Sequence, residues 1–123
     1  MIDLALVFKS NNILFSIKTI AIYIGLFLVY YNFTQNNIRL ILSGLLYVVC
    51  LYLFGINYKL GILYIVIAIA FVITESIYIN FCDESWKYTN PDIIGIPYWL
   101  TFIWSIVTVI ITEGVAIMKT FIV

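Results

Sequence analysis

The chain has no histidine, and its charges are few and balanced: six basic and six acidic residues, 10% of the total, for a formal net charge of +0. Lack of histidine removes the commonest metal ligand and the usual proton shuttle near neutral pH. No metal site and no cofactor are expected. Balanced charge leaves no electrostatic case for a nucleic acid partner. The two cysteines, Cys50 inside a hydrophobic stretch and Cys82 at the edge of another, are not placed to bridge. A soluble domain carries about 25% charged residues, and one of 14.2 kDa could not cover itself with so little polar surface. What is present instead is oil. The chain is 65% hydrophobic and 18% aromatic, with a mean hydropathy of +1.16, so its first partner is a lipid bilayer.

Windows of about 20 apolar residues mark membrane-crossing helices. Four occur, at about 13–33, 38–56, 60–81 and 97–119. Each is long enough for a hydrocarbon core of about 30 Å. "TQNN" (34–37) and "NYK" (57–59) are tight connections, which make successive helices antiparallel neighbours. The expected fold is all-α: one integral membrane domain, an antiparallel four-helix bundle running up-down-up-down. Pro97 suits the first turn of the fourth helix, where its missing N–H costs nothing. Residues 1–12 are too short to span and are expected to lie along the interface. They do not read as a cleaved leader, since the apolar stretch after Lys18 is too long and no small-x-small site follows it. Lys9, Lys18, Lys59 and Lys119 fall on one side, and Arg39 and Lys87 on the other with Asp83, Glu84 and Asp92. Basic residues collect on the cytoplasmic side, so both termini are expected there and the 82–96 loop outside.

Small and polar residues recur along each span. Gly61, Ala68, Glu75 and Cys82 share a line on the third, Ser43, Cys50 and Asn57 on the second, and Thr101, Ser105, Thr108 and Thr112 form a hydroxyl ridge on the fourth. In lipid, helices pair through small side chains and interhelical hydrogen bonds, so these stripes read as packing seams.

Two acids fall inside spans, where a charge costs about 2.5–3.5 kcal/mol or more. Glu75 lies about 9 Å beneath the end of the third span, and Glu113 about 24 Å down the fourth. They are too far apart to act as a dyad. Glu113 is at the depth of Lys18, which suggests a structural Lys18–Glu113 ion pair. Glu75 is the candidate catalytic residue. A pocket of Arg39, Ser43, Tyr47, Tyr78, Thr101, Trp104 and Ser105 is expected around it, with an Arg39–Glu75 bridge as the structural reading. The functional reading is a desolvated carboxyl that holds and releases a proton.

The 82–96 loop and its borders are crowded: Trp86, Tyr88, Pro91, Gly95, Pro97 and Trp99 follow one another. Aromatic residues here read as an interfacial belt, Asn90-Pro91-Asp92 as a turn, and the whole as a lid over the bundle, with Asp83, Glu84 and Asp92 solvated. The run from Glu75 through Trp86-x-Tyr88 and "PDIIGIP" to Trp99 and Trp104 resembles a pattern of small uncharacterised polytopic membrane proteins. More distantly it is similar to the carotenoid hydratase and lycopene cyclase group. That resemblance implies an intramembrane glutamate as general acid toward a hydrophobic or isoprenoid ligand. It departs from the group after the proline, where Tyr98, Trp99 and Leu100 stand in place of an acidic pair.

Three functions follow from these residues. The leading one is a non-catalytic subunit, scaffold or assembly factor, working in a homo- or hetero-oligomer. The alternatives are a membrane-embedded isoprenoid cyclase or hydratase using Glu75, and a proton or ion pathway in an oligomer. A pore filter, inverted repeats and a nucleophile–base pair are all missing from the sequence.

Overall fold

A computed structural model describes the backbone of residues 4–81, 88, 91–93 and 95–122, with side chains described from 12 to 119 within those stretches. Trp86, with Cys82, Asp83, Glu84 and Lys87, lies outside the described residues. The described residues form four helices and no strand: α1 (Leu4–Asn32), α2 (Asn36–Leu53), α3 (Tyr58–Phe81) and α4 (Leu100–Ile122). Each is long and apolar enough to cross a membrane.

Helix ends follow local chemistry more closely than hydropathy. α1 is already helical at Leu4 rather than near Ile13. The polar "KSNN" segment contains neither glycine nor proline, and its residues cost a helix only a few tenths of a kcal/mol each. α2 stops at Leu53, three residues short of the hydropathy boundary at Ile56. Gly55 adopts φ 67°, the Gly55 amide donates to the Tyr52 carbonyl at 3.2 Å, and the Ile56 amide to the Leu51 carbonyl at 2.9 Å. This left-handed closure suits glycine and satisfies carbonyls that the last turn would otherwise leave bare. Two residues later Asn57 caps α3, its Oδ1 accepting the Leu60 amide at 2.9 Å, as an N-cap asparagine does. Pro97 precedes α4 instead of lying in its first turn. Amides of Leu100, Thr101 and Phe102 donate three residues back, to the carbonyls of Pro97, Tyr98 and Trp99, a tighter lead-in that the ring of Pro97 tolerates.

α4 is the common partner. α1, α2 and α3 all pack on it, and α1 also packs on α2. The central cluster joins Ile22, Tyr47, Cys50, Tyr64, Ile106, Val109 and Ile110 from all four helices. Small residues are buried on both α3 and α4, Ala68 and Ser76 on the first and Ser105 on the second, while Gly61 lies against Leu51 of α2. The hydroxyls along α4 bond back within their own helix. Ser105, Thr108 and Thr112 each donate to the carbonyl four residues back at 2.8 Å. Their polarity is thus satisfied within the helix. Large apolar side chains also face outward from all four helices: Phe27, Ile41, Tyr52, Val66, Phe81 and Met118 are all exposed. Ile22 is the one fully buried residue among the described side chains of α1.

A candidate polar site at the loop end

The C-terminal turns of α1 and α3, the first turn of α2 and the lead-in to α4 meet at one end, together with the described part of the 82–96 loop. We call this the loop end. Glu75 is half-buried there, one turn and a half from the end of α3. Tyr88 donates its hydroxyl to Oε1 at 2.7 Å, and Trp104 donates its indole N–H to Oε2 at 3.0 Å. Each oxygen of the carboxylate therefore faces a donor from a different element. Phe71, one turn earlier on α3, stacks on Trp104 with centroids 5.3 Å apart and planes at 22°. Burial, reinforced by the hydrogen bond to Glu75 and by its charge, pushes the Tyr88 hydroxyl well above the usual phenol range. It stays a donor at any ordinary pH.

Tyr88 also meets Trp99 edge-on at 6.0 Å, and Trp99 organises a second layer. Its indole N–H donates to Asn36 Oδ1 at 3.2 Å, and its ring meets Tyr30 edge-on at 5.7 Å. Asn36 Nδ2 donates to Asp92 Oδ1 at 3.3 Å, while Asp92 Oδ2 accepts the Tyr98 amide at 2.9 Å. Asp92 is exposed but engaged, tying α2 to the lead-in of α4, and is not simply the solvated charge expected from the sequence. Gly95 turns the loop back at φ 81°, with Ile93 and Ile96 exchanging backbone bonds at 2.9 Å. A side chain at Gly95 would meet Asn80 and Ile79 at 3.4 and 3.5 Å, so the turn sits down on the end of α3. Pro97 and Trp99 are buried beneath it; Pro91 is exposed.

Three sequence expectations need correction. Arg39 is engaged with α1 and not with Glu75. Its Nε donates to the Phe33 carbonyl and its Nη2 to the Tyr30 carbonyl at 2.9 Å, and its guanidinium lies 4.2 Å from the Tyr30 centroid and 5.4 Å from that of Trp99. Bare carbonyls at a helix C-terminus attract a cation, and two rings add a cation–π contact. Tyr47 is not beside Glu75. Its hydroxyl donates to the Gly61 carbonyl at 2.6 Å, about 21 Å from Glu75 along α3 by helical rise. Lys18 and Glu113 line one cavity of about 170 Å³ with Leu14, Phe15, Phe54 and Ile117, but the two do not close to salt-bridge distance. Lys18 Nζ lies 5.6 Å from the Phe54 centroid instead.

Ser43, Thr101 and Ser105 bond within their own helices. Ser43 donates to the Arg39 carbonyl, Thr101 supplies the carbonyl that Ser105 uses, and Tyr78 is exposed. Of the expected set, Trp104 donates to the acid, joined by Tyr88 from the expected lid. Among the described residues no three His, Cys, Asp or Glu side chains gather to hold a metal ion.

The chain matches no protein-family model, no curated protein and no solved structure. Its function must be argued from this site.

Proposed function

We propose that this is a four-pass integral membrane protein, running up-down-up-down with both termini cytoplasmic, that acts as a non-catalytic subunit, scaffold or assembly factor. In this reading Glu75 is a fastener. The supporting observation is the pair of donors on its carboxylate: a hydroxyl from the loop on one oxygen and an indole N–H from α4 on the other. A charge at membrane depth is costly unless satisfied, and satisfying it here locks the loop to α3 and α4. A general acid would instead direct an oxygen at its substrate. Exposed apolar side chains around the helices support bilayer insertion, and Lys9, Lys18, Lys59 and Lys119 against Arg39 and Lys87 support the sidedness.

Glu75→Gln tests the reading. Hydrogen bonds to a charged group contribute about 1.5–3 kcal/mol, and the amide keeps only one acceptor. The variant is expected to lose about 1–2 kcal/mol of stability in detergent unfolding. Tyr88→Phe should lose a similar amount, and the double variant little more than either. A Glu75→Gln protein of undiminished stability would refute the fastener.

The aromatic surround of Phe71, Trp104 and Tyr88 favours a second reading, a membrane-embedded isoprenoid cyclase or hydratase. Aromatic faces stabilise a desolvated cation by about 2 kcal/mol or more. That reading requires Glu75→Gln to abolish turnover of a polyene while leaving the fold intact.

A further inference from the structure

We infer that the groove between α1 and α4 holds one acyl chain of an anionic phospholipid, with the headgroup on Lys119 and Asn12. The inference rests on the four-pass reading and adds a ligand to it. α1 meets the lead-in to α4 where Tyr30 touches Trp99, and α4 itself where the Phe15 ring lies over Gly114, so the two helices run antiparallel. Toward the end away from the loop they leave a groove of about 590 Å³, walled on α1 by Asn12 and Phe15 and on α4 by Ile110, Ile111, Val115 and Lys119.

The lining is graded along its length. A side chain at Gly114 would meet the Phe15 ring at 3.3 Å, so the glycine lets that ring lie close against α4. Around it and on to Ile110 the walls are hydrocarbon. At the far end stand the two polar side chains of the lining, the Asn12 amide and the Lys119 ammonium. Both are exposed, and neither makes a hydrogen bond or ion pair among the described residues. No acid is among the described lining residues; Glu113 lies on the wall of the separate cavity with Lys18. Asn12 and Lys119 also stand where the first apolar window begins and the fourth ends, which is headgroup level. Ile110 lies about 14 Å along α4 from Lys119 by helical rise, half of a hydrocarbon core of about 30 Å. One leaflet is that deep.

That gradient selects the occupant. Water needs two to four polar partners, which the hydrocarbon walls lack, and the volume lies in the range of ligand sites, about 300–1,000 Å³. The chain before the groove does not fill it. α1 is continuous helix from Leu4 through Asn12, so those residues run on past the groove instead of folding back. A second copy docked about a two-fold axis would present the same patch twice. It would enclose two ammonium groups with no acid in either lining to pair them, a costly burial. A lipid of this leaflet answers both ends. Its chain lies along Ile110, Ile111 and Val115, and its phosphate accepts from Lys119 and from the Asn12 amide. A zwitterionic headgroup would bring a second ammonium toward Lys119, so the anionic lipid is preferred.

Native mass spectrometry of the full chain, released from micelles holding equal phosphatidylglycerol and phosphatidylcholine, tests this. One phosphatidylglycerol should stay bound in about five-fold preference, the effect of a single cation near an anionic headgroup. Lys119→Gln should keep a lipid but lose the preference. Lys59→Gln, which removes an exposed cation outside the groove, should leave it unchanged. Val115→Trp and Ile111→Trp each fill the groove from an exposed position and should strip the lipid, whereas Val66→Trp, exposed on α3, should not. Equal retention of both lipids by the native chain would overturn the proposal, as would an equal loss of preference in Lys59→Gln and Lys119→Gln. So would unchanged retention by a Val115→Trp or Ile111→Trp protein of native melting temperature, or a dimer in which the second copy displaces lipid. Alkaline extraction separates this inference from the reading beneath it. A chain released from membranes refutes the four-pass reading, whereas one that stays embedded yet retains no lipid refutes the groove alone.

Discussion

The two ends of the helical array close themselves by different means. At the loop end side chains carry the work: Glu75, Tyr88, Trp104, Trp99, Asn36, Asp92 and Arg39 link pieces up to 63 residues apart in sequence. At the opposite end, around the α2–α3 turn, the backbone does it, through the left-handed Gly55 and the Asn57 cap. The lesson concerns range. A turn of a few residues satisfies its helix ends locally, whereas a connection as long as 82–99 must be pinned by distant partners or its ordering entropy goes uncompensated.

The sharpest way to break the contrast is Trp99→Ala. Trp99 is 4% exposed and touches Tyr30, Tyr88, Arg39 and Asn36, so one truncation removes a large buried ring and the indole donor to Asn36 Oδ1. A loss of about 3–5 kcal/mol is expected, measured by unfolding in detergent. A loss under about 1 kcal/mol would mean that the loop end is not held by this residue. Tyr47→Phe probes the other end more gently. The hydroxyl is buried, but the Gly61 carbonyl keeps a place in its own helix, so a loss of about 1 kcal/mol is expected. If Tyr47→Phe costs more than Trp99→Ala, the assignment of side-chain closure to the loop end is reversed.

How far the sequence foretold this depends on the range of each contact. The four spans were legible because hydropathy averages over a whole helix, and four apolar helices are found. Helix ends were less so: the glycine at 55 outweighed the apolar Phe54 and Ile56 that surround it, and α1 ran on to Leu4 for want of a breaker. At the site, counting residues down from the loop placed Trp104 level with Glu75. The same counting failed for Tyr47, because a long side chain goes to whichever acceptor is open and Gly61, with no side chain, leaves its backbone approachable. Asn36 was read as part of a turn and given no role. Its partners Asp92 and Trp99 lie 56 and 63 residues away, and no local pattern carries such a pairing. Arg39 was assigned to the nearest acid by charge alone. The carbonyls at the end of α1, reached with two aromatic faces beside them, made the better site.

The smallest effect is expected where the sequence suggested the most direct bond. Lys18 and Glu113 are both half-buried on the walls of one cavity, and Lys18 lies against Phe54. At about 170 Å³ the space between them is large enough for water, which screens their attraction. A double-mutant cycle of Lys18→Met and Glu113→Gln isolates that attraction from what each side chain does alone. A coupling under about 0.5 kcal/mol is expected, as for a solvated pair. A coupling of several kcal/mol would mean that the two close into a buried salt bridge in the bilayer. The turn end would then be pinned by side chains after all, and the difference between the two ends would be one of number rather than of kind.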